Sequence, residues 1–309
     1  MTAANEAAKV AGHEAAWKLS LAAPSYMPAM TYLEDESIRE HLYKARQHIA
    51  SVSERDNSKA AEAIIKLRRE KAKLLDYENY ADFITDTRMA KSGEKALNFE
   101  FSLVEKVKPQ FIAETLELKN YKRNLTNNQT AELFPWDLAF YSEKLKKEKY
   151  DFDKLLLRPY FEFENVLAGM FTFANKLFDI NLVETMQLPK WHEDVKTFEI
   201  TDSSGEVIAY SYIDLFPRPG RKRDGAWQLC MIHQIDNRPG HEKFIGLFTG
   251  NFTKPNAENP ALLSFAEVST LFHEFGHFFI TFLLMNTEFL RSVPWDFIEL
   301  PSKILQNWC

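Results

Sequence analysis

The segment 264–284 most restricts how this chain can fold, because it is strongly apolar and yet contains His273, Glu274 and His277. Its apolar side chains predict a helix that is buried on most of its sides. Burying two imidazoles and a carboxyl group in such a helix costs free energy unless they have partners. The segment therefore predicts either a helix that lines a functional site or a structural pair of histidines on a partly buried helix.

The spacing of the two histidines indicates a metal site. Residues four apart in a helix differ by about 40° of rotation, so the imidazoles of His273 and His277 leave the same face. Two neutral imidazoles can fill two corners of a zinc tetrahedron. Glu274 is turned about 100° from His273, and we expect it to reach a water on the metal as a general base rather than to bind the metal. Ser264 and Glu267 form a capping-box pattern, which predicts a helix start well before the motif.

A third ligand is available in the segment 295–302. Glu299 lies there among Trp, Phe, Ile and Leu residues, where a carboxylate is expected to face inward only if a cation pairs with it. The alternative is an ordinary carboxylate on a helix surface. Asp296 could orient a ligating histidine, although a simple charge near a helix N-terminus explains it as well. The remaining histidines have no ligand spacing and are expected to be ordinary, namely His13, His41, His48, His192, His233 and His241.

Helical periodicity dominates residues 1–185. Apolar residues return to one face in three stretches, and we expect all three faces to be buried core. Asn57 and Ser58 can cap the first of these helices, and Pro109 predicts a kink or a break in the second. The three faces comprise Ile64, Leu67, Leu74 and Leu75; Leu97, Phe101, Val104 and Phe111; and Phe163, Val166, Leu167, Met170, Phe171, Ala174, Leu177 and Phe178.

The pattern changes in residues 186–309. Segments 196–200 and 207–215 predict two strands joined by a turn at 202–205, and 243–253 predicts a third strand. We expect this third strand to pair with the backbone of a bound peptide. The predicted fold is therefore mainly α-helical, with a small β-sheet next to the metal-binding helix.

The charge balance argues against nucleic-acid binding. The net charge is −6, whereas a protein that binds nucleic acid normally carries a basic surplus. The positive charge concentrated in the loop 218–225 predicts either a solvated loop or an anchor for the ends of a substrate. The most apolar run, 275–285, is interrupted by His277 and is too short to span a membrane, so we expect no membrane partner.

The N-terminus and the cysteines favour a cytoplasmic location, with an organelle matrix as the alternative. The first twenty residues contain no apolar core of signal-peptide length and carry Glu6 and Glu14, which argues against secretion. Cys230 and Cys309 are expected to be unpaired thiols in a reducing compartment rather than a disulfide.

Several segments together resemble the thimet oligopeptidase family of zinc metallopeptidases. The similarity extends over essentially the whole chain. The segments that carry it are TLFHEFGH at 270–277, VPWDFIELPS at 293–302 and NWC at 307–309, with further support at 24–32, 135–144, 158–161 and 225–227.

The resemblance implies a site, a fold and an activity. His273, His277 and Glu299 match the ligands of one zinc ion per chain, and Glu274 matches the general base. The implied fold is a zincin-type, two-lobed and mostly helical body whose deep channel admits only short peptides. The implied function is that of a monomeric metalloendopeptidase acting on short oligopeptides, with the peptide preference and the choice between internal cleavage and dipeptide release left open.

The chain also departs from the family pattern. Family members have residues before the position of Met1, and after residue 309 a long helical stretch that supplies oxyanion-stabilising groups. We therefore expect a fragment, with 1–185 as helical body and 186–309 as truncated catalytic domain, that binds zinc but cleaves peptides at least ~10²-fold more slowly than an extended version. The loop at 285–292 is shorter than the usual Gly-rich loop, and Lys303 stands where Gln is usual.

Two alternatives remain open from the sequence. One is a truncated homologue that binds zinc or peptide without turnover. The other is a helical interaction scaffold in which the motif arose by chance. Metal analysis separates the scaffold from the other two, and peptide turnover separates the enzyme from the binding protein.

Overall fold

The computed structural model describes residues 12, 16–232, 243–255, 260–285 and 293–309. By its contacts the chain divides into two compact units, Met1–Phe152 and Asp153–Cys309. This division falls earlier than the predicted boundary after residue 185, and the assignment of 1–185 and 186–309 as domains stays a prediction. The described residues are mostly helical with one small mixed sheet, as the sequence predicts.

The described part of the first unit is entirely helical. Two short 3₁₀ turns, Ser53–Arg55 and Pro135–Asp137, interrupt its helices. The α-helices are α1 (Ala23–Tyr32), α2 (Glu36–Gln47), α3 (Ser58–Leu74), α4 (Tyr80–Thr85), α5 (Gly93–Leu125) and α6 (Leu138–Tyr150).

Helix α5 is continuous through Pro109, so the predicted break does not occur. Proline removes one backbone hydrogen bond from a helix interior. The helix is long on both sides of Pro109, and its start is capped by the Ser92 hydroxyl, which accepts from the Lys95 amide at 3.2 Å.

The apolar faces of α3 and α5 are exposed, which corrects the expectation that they form core. Periodicity indicates that a helix has an apolar face but not that another element covers it. The buried clusters of this unit are small and lie elsewhere, around Tyr26, Met30 and Leu42 and around Phe140 and Tyr141. The exposed side chains are Ile64, Leu67, Leu74, Leu75, Leu97, Phe101, Val104 and Phe111.

A buried ionic group stabilises the first unit. The Asp137 carboxylate is fully buried and accepts hydrogen bonds from the Arg39 guanidinium at 3.1 Å and the Lys122 ammonium at 2.7 Å. The same carboxylate also accepts from the Phe134 amide at 3.0 Å. Three donors, one local and two from other helices, therefore converge on one charge.

In its described ranges, the second unit combines a sheet with three α-helices. It begins with a 3₁₀ segment, Lys154–Tyr160. Its other elements are α7 (Phe163–Phe178), β1 (Asn181–Glu184), β2 (Lys196–Thr201), β3 (Val207–Asp214), β4 (Trp227–Ile232), β5 (Phe244–Thr249), α8 (Phe265–Met285) and α9 (Glu299–Gln306).

The sheet has the strand order β1-β2-β3-β5-β4. Strands β3 and β5 run parallel and the other neighbours are antiparallel. The predicted β2–β3 hairpin is confirmed, whereas β1 and β4 were not predicted. Strand β5 is shorter than expected, and it lies inside the sheet between β3 and β4. Its backbone is therefore already paired on both sides and cannot accept a peptide, which corrects that expectation.

The main core lies between the sheet and its helices. The predicted face of α7 is largely confirmed, because Phe163, Leu167, Met170 and Ala174 are buried and only Leu177 is exposed. Phenylalanines of α8 pack on the phenylalanines of β5, with ring centroids of Phe244 and Phe278 5.7 Å apart. Among the described residues, no helix combines the length and apolar character needed to cross a bilayer.

Candidate metal centre

The start of α8 is fixed by the predicted capping box. The Ser264 hydroxyl accepts from the Glu267 amide at 3.2 Å, and the Glu267 carboxylate accepts from the Ser264 amide at 2.7 Å. The other oxygen of Glu267 accepts from the Thr253 amide at 2.6 Å. These bonds connect the helix start to the segment that follows β5, so they fix α8 relative to the sheet.

The two predicted histidines of α8 converge at one face of the helix. The Nε2 atoms of His273 and His277 are 3.1 Å apart. Their side chains are 19% and 11% exposed, so the face opens to solvent at this point only slightly.

Glu299 joins them from the first residue of α9. Its Oε2 atom lies 3.3 Å from His273 Nε2 and 3.4 Å from His277 Nε2. The Ser302 hydroxyl is 3.0 Å from the same oxygen and helps to hold it. The structure thus brings together all three residues that the sequence singles out as metal ligands.

A close approach of the two helices makes this convergence possible. Gly276 lies on α8 where α9 crosses it, and a Cβ atom there would be 2.6 Å from Ser302 Cα and 3.1 Å from the Pro301 carbonyl oxygen. Only a residue without a side chain lets the backbones come this close. Gly276 therefore determines how near Glu299 can come to the histidines.

The three donor atoms fit a zinc ion. With ligand bonds of ~2.0–2.1 Å, the corners of a tetrahedron are about 3.3–3.4 Å apart, which agrees with the separations of 3.1, 3.3 and 3.4 Å. An imidazole nitrogen without a proton and a carboxylate oxygen are all electron-pair donors. Three such atoms at this distance could hold a metal ion between them.

Glu274 lies beside this cluster in a different environment. It is 5% exposed, and its Oε2 atom has no hydrogen-bond partner among the described residues. Burial raises the pKa of the Glu274 carboxyl to about 7, and the nearby Glu299 charge adds to the effect. It is therefore a carboxyl group poised between its two protonation states rather than one fixed by an ion pair.

The sequence did not predict which side chain forms a hydrogen bond with His273. The Nδ1 atom of His273 is 3.3 Å from Gln306 Oε1, whereas Asp296, the predicted orienting residue, is exposed in a turn before α9. Lys303 and Gln306 follow Glu299 on α9 by four and seven residues, so they share its face. That spacing is the signal from which Gln306 could have been found.

His277 differs from His273 on its Nδ1 side. The Nδ1 atom is buried and has no partner of ordinary hydrogen-bond geometry among the described residues. Burial lowers the pKa of the His277 imidazole, although the Glu299 charge opposes the effect. A neutral imidazole, the form that binds metals, is favoured by this environment.

The basic loop 218–225 does not present Arg218 and Lys222 to a substrate. Arg218 donates to both oxygens of Asp214 at 2.8 and 2.5 Å, and the Lys222 ammonium is 2.9 Å from the same carboxylate. Burial alone would raise the pKa of Asp214, but hydrogen bonds from Arg218, Lys222 and Trp191 outweigh it and hold the pKa below its usual range. Arg218 and Lys222 therefore fix the loop to the end of β3.

The other predicted features are peripheral to the centre. The cysteines Cys230 and Cys309 are both unpaired, as expected. The His48 Nδ1–H group donates to the Lys44 carbonyl oxygen, and His192 pairs with Asp194, so neither belongs to the metal cluster. The predictions that concern His13, His233, His241, the loop at 286–292 and most of the first fifteen residues lie outside the described part of the chain.

A helix that carries two histidines and a buried glutamate, with a carboxylate supplied by the following helix, is an arrangement typical of metallopeptidases. Comparison with known sequences agrees with this class. Residues 29–309 match the profile of peptidase family M3. The chain belongs to peptidase family M3.

The similar curated proteins are peptidases. The chain is 38% identical to the oligopeptidase A of Haemophilus influenzae over 303 residues, which covers 95% of this chain and 44% of the relative. It is 37% identical to a probable cytosolic oligopeptidase A of Arabidopsis thaliana, covering 98% and 45%. It is 34% identical to the dipeptidyl carboxypeptidase of Escherichia coli, covering 99% and 45%. The chain thus spans less than half the length of these relatives.

Proposed function

We propose that this chain forms the zinc-binding part of a metallopeptidase that hydrolyses short oligopeptides. The observation that carries the proposal is the cluster of His273, His277 and Glu299, whose donor atoms are 3.1–3.4 Å apart beside the buried Glu274. Membership of family M3 supports the peptidase class. One cluster of this kind corresponds to one zinc ion per chain.

The residues of the centre divide the chemistry between holding the metal and moving a proton. Zinc, when bound by His273, His277 and Glu299, supplies Lewis-acid activation of a water molecule and of the scissile carbonyl. Glu274 takes a proton from the attacking water and delivers it to the amine as the carbon–nitrogen bond breaks. The Oε2 atom of Glu274 supports this role, because no group in the described part of the chain forms a hydrogen bond with it.

Strand β4 is the better candidate for pairing with a peptide backbone. It pairs with β5 on one side, and among the described residues no strand lies on its other side. It also packs against α8, the helix of the metal centre. A peptide added to this edge would run beside the helix that carries His273 and Glu274.

From the resemblance and the relatives we also propose a zincin-type, two-lobed architecture with a channel. We further propose a monomeric state and a cytoplasmic or organellar location. The relatives are named both as oligopeptidases and as a dipeptidyl carboxypeptidase, so both internal cleavage and dipeptide release belong to the proposed activity class.

Metal content and peptide turnover test the proposal. Purified protein should contain about one zinc per chain by elemental analysis, and His273→Ala should lose it. The matched control is His48→Ala, which removes an exposed histidine of the first unit. Zinc retained in His273→Ala, or lost equally in the control, would contradict the metal assignment.

Turnover is measured with a quenched-fluorescent peptide at matched zinc content. Cleavage that depends on zinc and on Glu274 supports the enzyme. Zinc binding with no cleavage by the wild-type chain would favour the alternative, a protein that binds zinc or peptide without turnover.

A further inference from the structure

Gln306 lies at the last turn of α9 and contacts three side chains around the metal centre. Its Oε1 atom is 3.3 Å from His273 Nδ1 and 3.0 Å from the Lys303 ammonium. Its Nε2 atom donates to the Ser269 hydroxyl at 2.7 Å. The side chain is half-buried.

The contacts fix which way the Gln306 amide points. An ammonium group has only donors, so the amide atom next to Lys303 must be the carbonyl oxygen. The amide nitrogen then faces Ser269, whose hydroxyl can accept. A flipped amide would place its NH₂ group against the Lys303 ammonium and lose the hydrogen bond to that group.

The orientation of the amide in turn fixes the tautomer of His273. A carbonyl oxygen can only accept, so His273 Nδ1 must carry the proton that it donates. In a neutral imidazole the other nitrogen, Nε2, then carries the lone pair. This is the atom that lies 3.3 Å from Glu299 Oε2 and 3.1 Å from His277 Nε2.

We propose that Gln306, held by Ser269 and Lys303, is the positioning residue that sets the tautomer and ring orientation of His273 for metal binding. The inference rests on the proposed zinc site and extends it to the side chains that hold one ligand, His273. It replaces Asp296, which the sequence suggests for this role. His277 has no side-chain partner at Nδ1 among the described residues, and the Ile298 backbone is the group that interacts with its imidazole, so the two imidazoles are held by different kinds of group.

The first test measures zinc affinity by competition with a chromogenic chelator. Gln306→Leu removes the acceptor at similar size and should weaken zinc binding about 10–100-fold. Gln306→Glu keeps an oxygen acceptor and should restore it. Asp296→Asn is the matched control and should leave the affinity unchanged. Unchanged affinity in Gln306→Leu, or a loss in Asp296→Asn instead, would overturn the assignment.

The second test needs no substitution. Nitrogen-15 NMR of the histidine side chains in the zinc-loaded wild-type chain should show His273 protonated at Nδ1 and bound through Nε2. Binding through Nδ1 would contradict the inference even if Gln306→Leu failed to fold.

The two proposals fail in different ways. If the wild-type chain binds no zinc, the proposed function fails and this inference fails with it. If the wild-type chain binds zinc and His273→Ala abolishes binding, but Gln306→Leu has wild-type affinity, only the role of Gln306 is wrong.

Discussion

Glu274 and Glu299 both lie at the metal centre, but their side chains have different environments. Glu274 is buried on α8, and one of its oxygens has no partner within the described ranges, whereas the Glu299 side chain is 62% exposed and directs one oxygen at two imidazoles. Similar side chains can take different chemical roles when their surroundings differ in this way. The contrast supports Glu299 as ligand and Glu274 as base.

Replacing each of these carboxylates by its amide should separate the two roles. Glu274→Gln should keep one zinc per chain and reduce kcat by about 10²–10⁴-fold, since it removes proton transfer. Glu299→Gln should weaken zinc binding, because a charged ligand is lost. Zinc analysis and peptide kinetics on both variants check this, and loss of zinc in Glu274→Gln would identify that residue as a ligand.

The buried Asp137 offers a second test at the scale of single residues. Asp137→Ala should lower the free energy of unfolding by about 3–5 kcal/mol, because Arg39 would keep a buried charge without its counter-ion and Lys122 would retain only the half-exposed Glu36 carboxylate. The measurement is urea unfolding. Glu132→Ala, which removes an exposed partner of Lys119, is the control and should change little; similar losses in both variants would refute a special role for burial.

At the scale of elements, the crossing of α8 and α9 determines the metal centre. Gly276→Ala should push α9 away, since the new methyl group would lie 2.6 Å from Ser302 Cα. We expect a loss of stability of about 1–3 kcal/mol together with weaker zinc binding as Glu299 moves.

Gly169→Ala provides the matched control for that substitution. Gly169 lies on α7, where an added Cβ meets nothing within 4 Å, so alanine should stabilise the helix by roughly 0.5–1 kcal/mol. Thermal unfolding measures the stability of both variants, and chelator competition measures their zinc affinity. Zinc affinity that is unaffected by Gly276→Ala would show that α9 does not depend on this contact.

The sequence predicts the local parts of the site and misses what depends on packing. Ser264 with Glu267, and His273 with His277, are related by short spacings within one helix, and the structure places both pairs as expected. Gln306 meets His273 only because two helices cross at a glycine. No local pattern indicates such a crossing.

The same distinction holds for the elements. The β2–β3 hairpin and the face of α7 follow from periodicity and a turn. The faces of α3 and α5 have the same periodicity and yet are exposed. Periodicity predicts that a helix has an apolar face, but it does not predict whether another element covers that face. The position of β5 inside the sheet could not be predicted either, since alternation indicates a strand but not its neighbours.

At the scale of the whole molecule, the centre belongs to one unit only. The ligands and Glu274 all lie in Asp153–Cys309. Zinc at 100 times its dissociation constant should stabilise the folded state that binds it by about 2.7 kcal/mol.

Hydrogen exchange read by mass spectrometry checks where that stabilisation acts. Peptides from Asp153–Cys309 should exchange more slowly with zinc, peptides from Met1–Phe152 should not, and His273→Ala should abolish the difference. Equal protection in both units would show that the first unit also responds to the metal.

The parallel pairing of β3 and β5 also bears on the order in which the chain folds. It joins residues as distant as Ala209 and Phe244, whereas the β2–β3 hairpin closes over a short turn. Long-range pairs form slowly because chain entropy is lost before contacts compensate for it. Since α8 packs on β5 and β4, the surface that receives it is complete only after this closure. We therefore expect the metal centre to assemble late in folding, so that zinc slows unfolding far more than it speeds refolding.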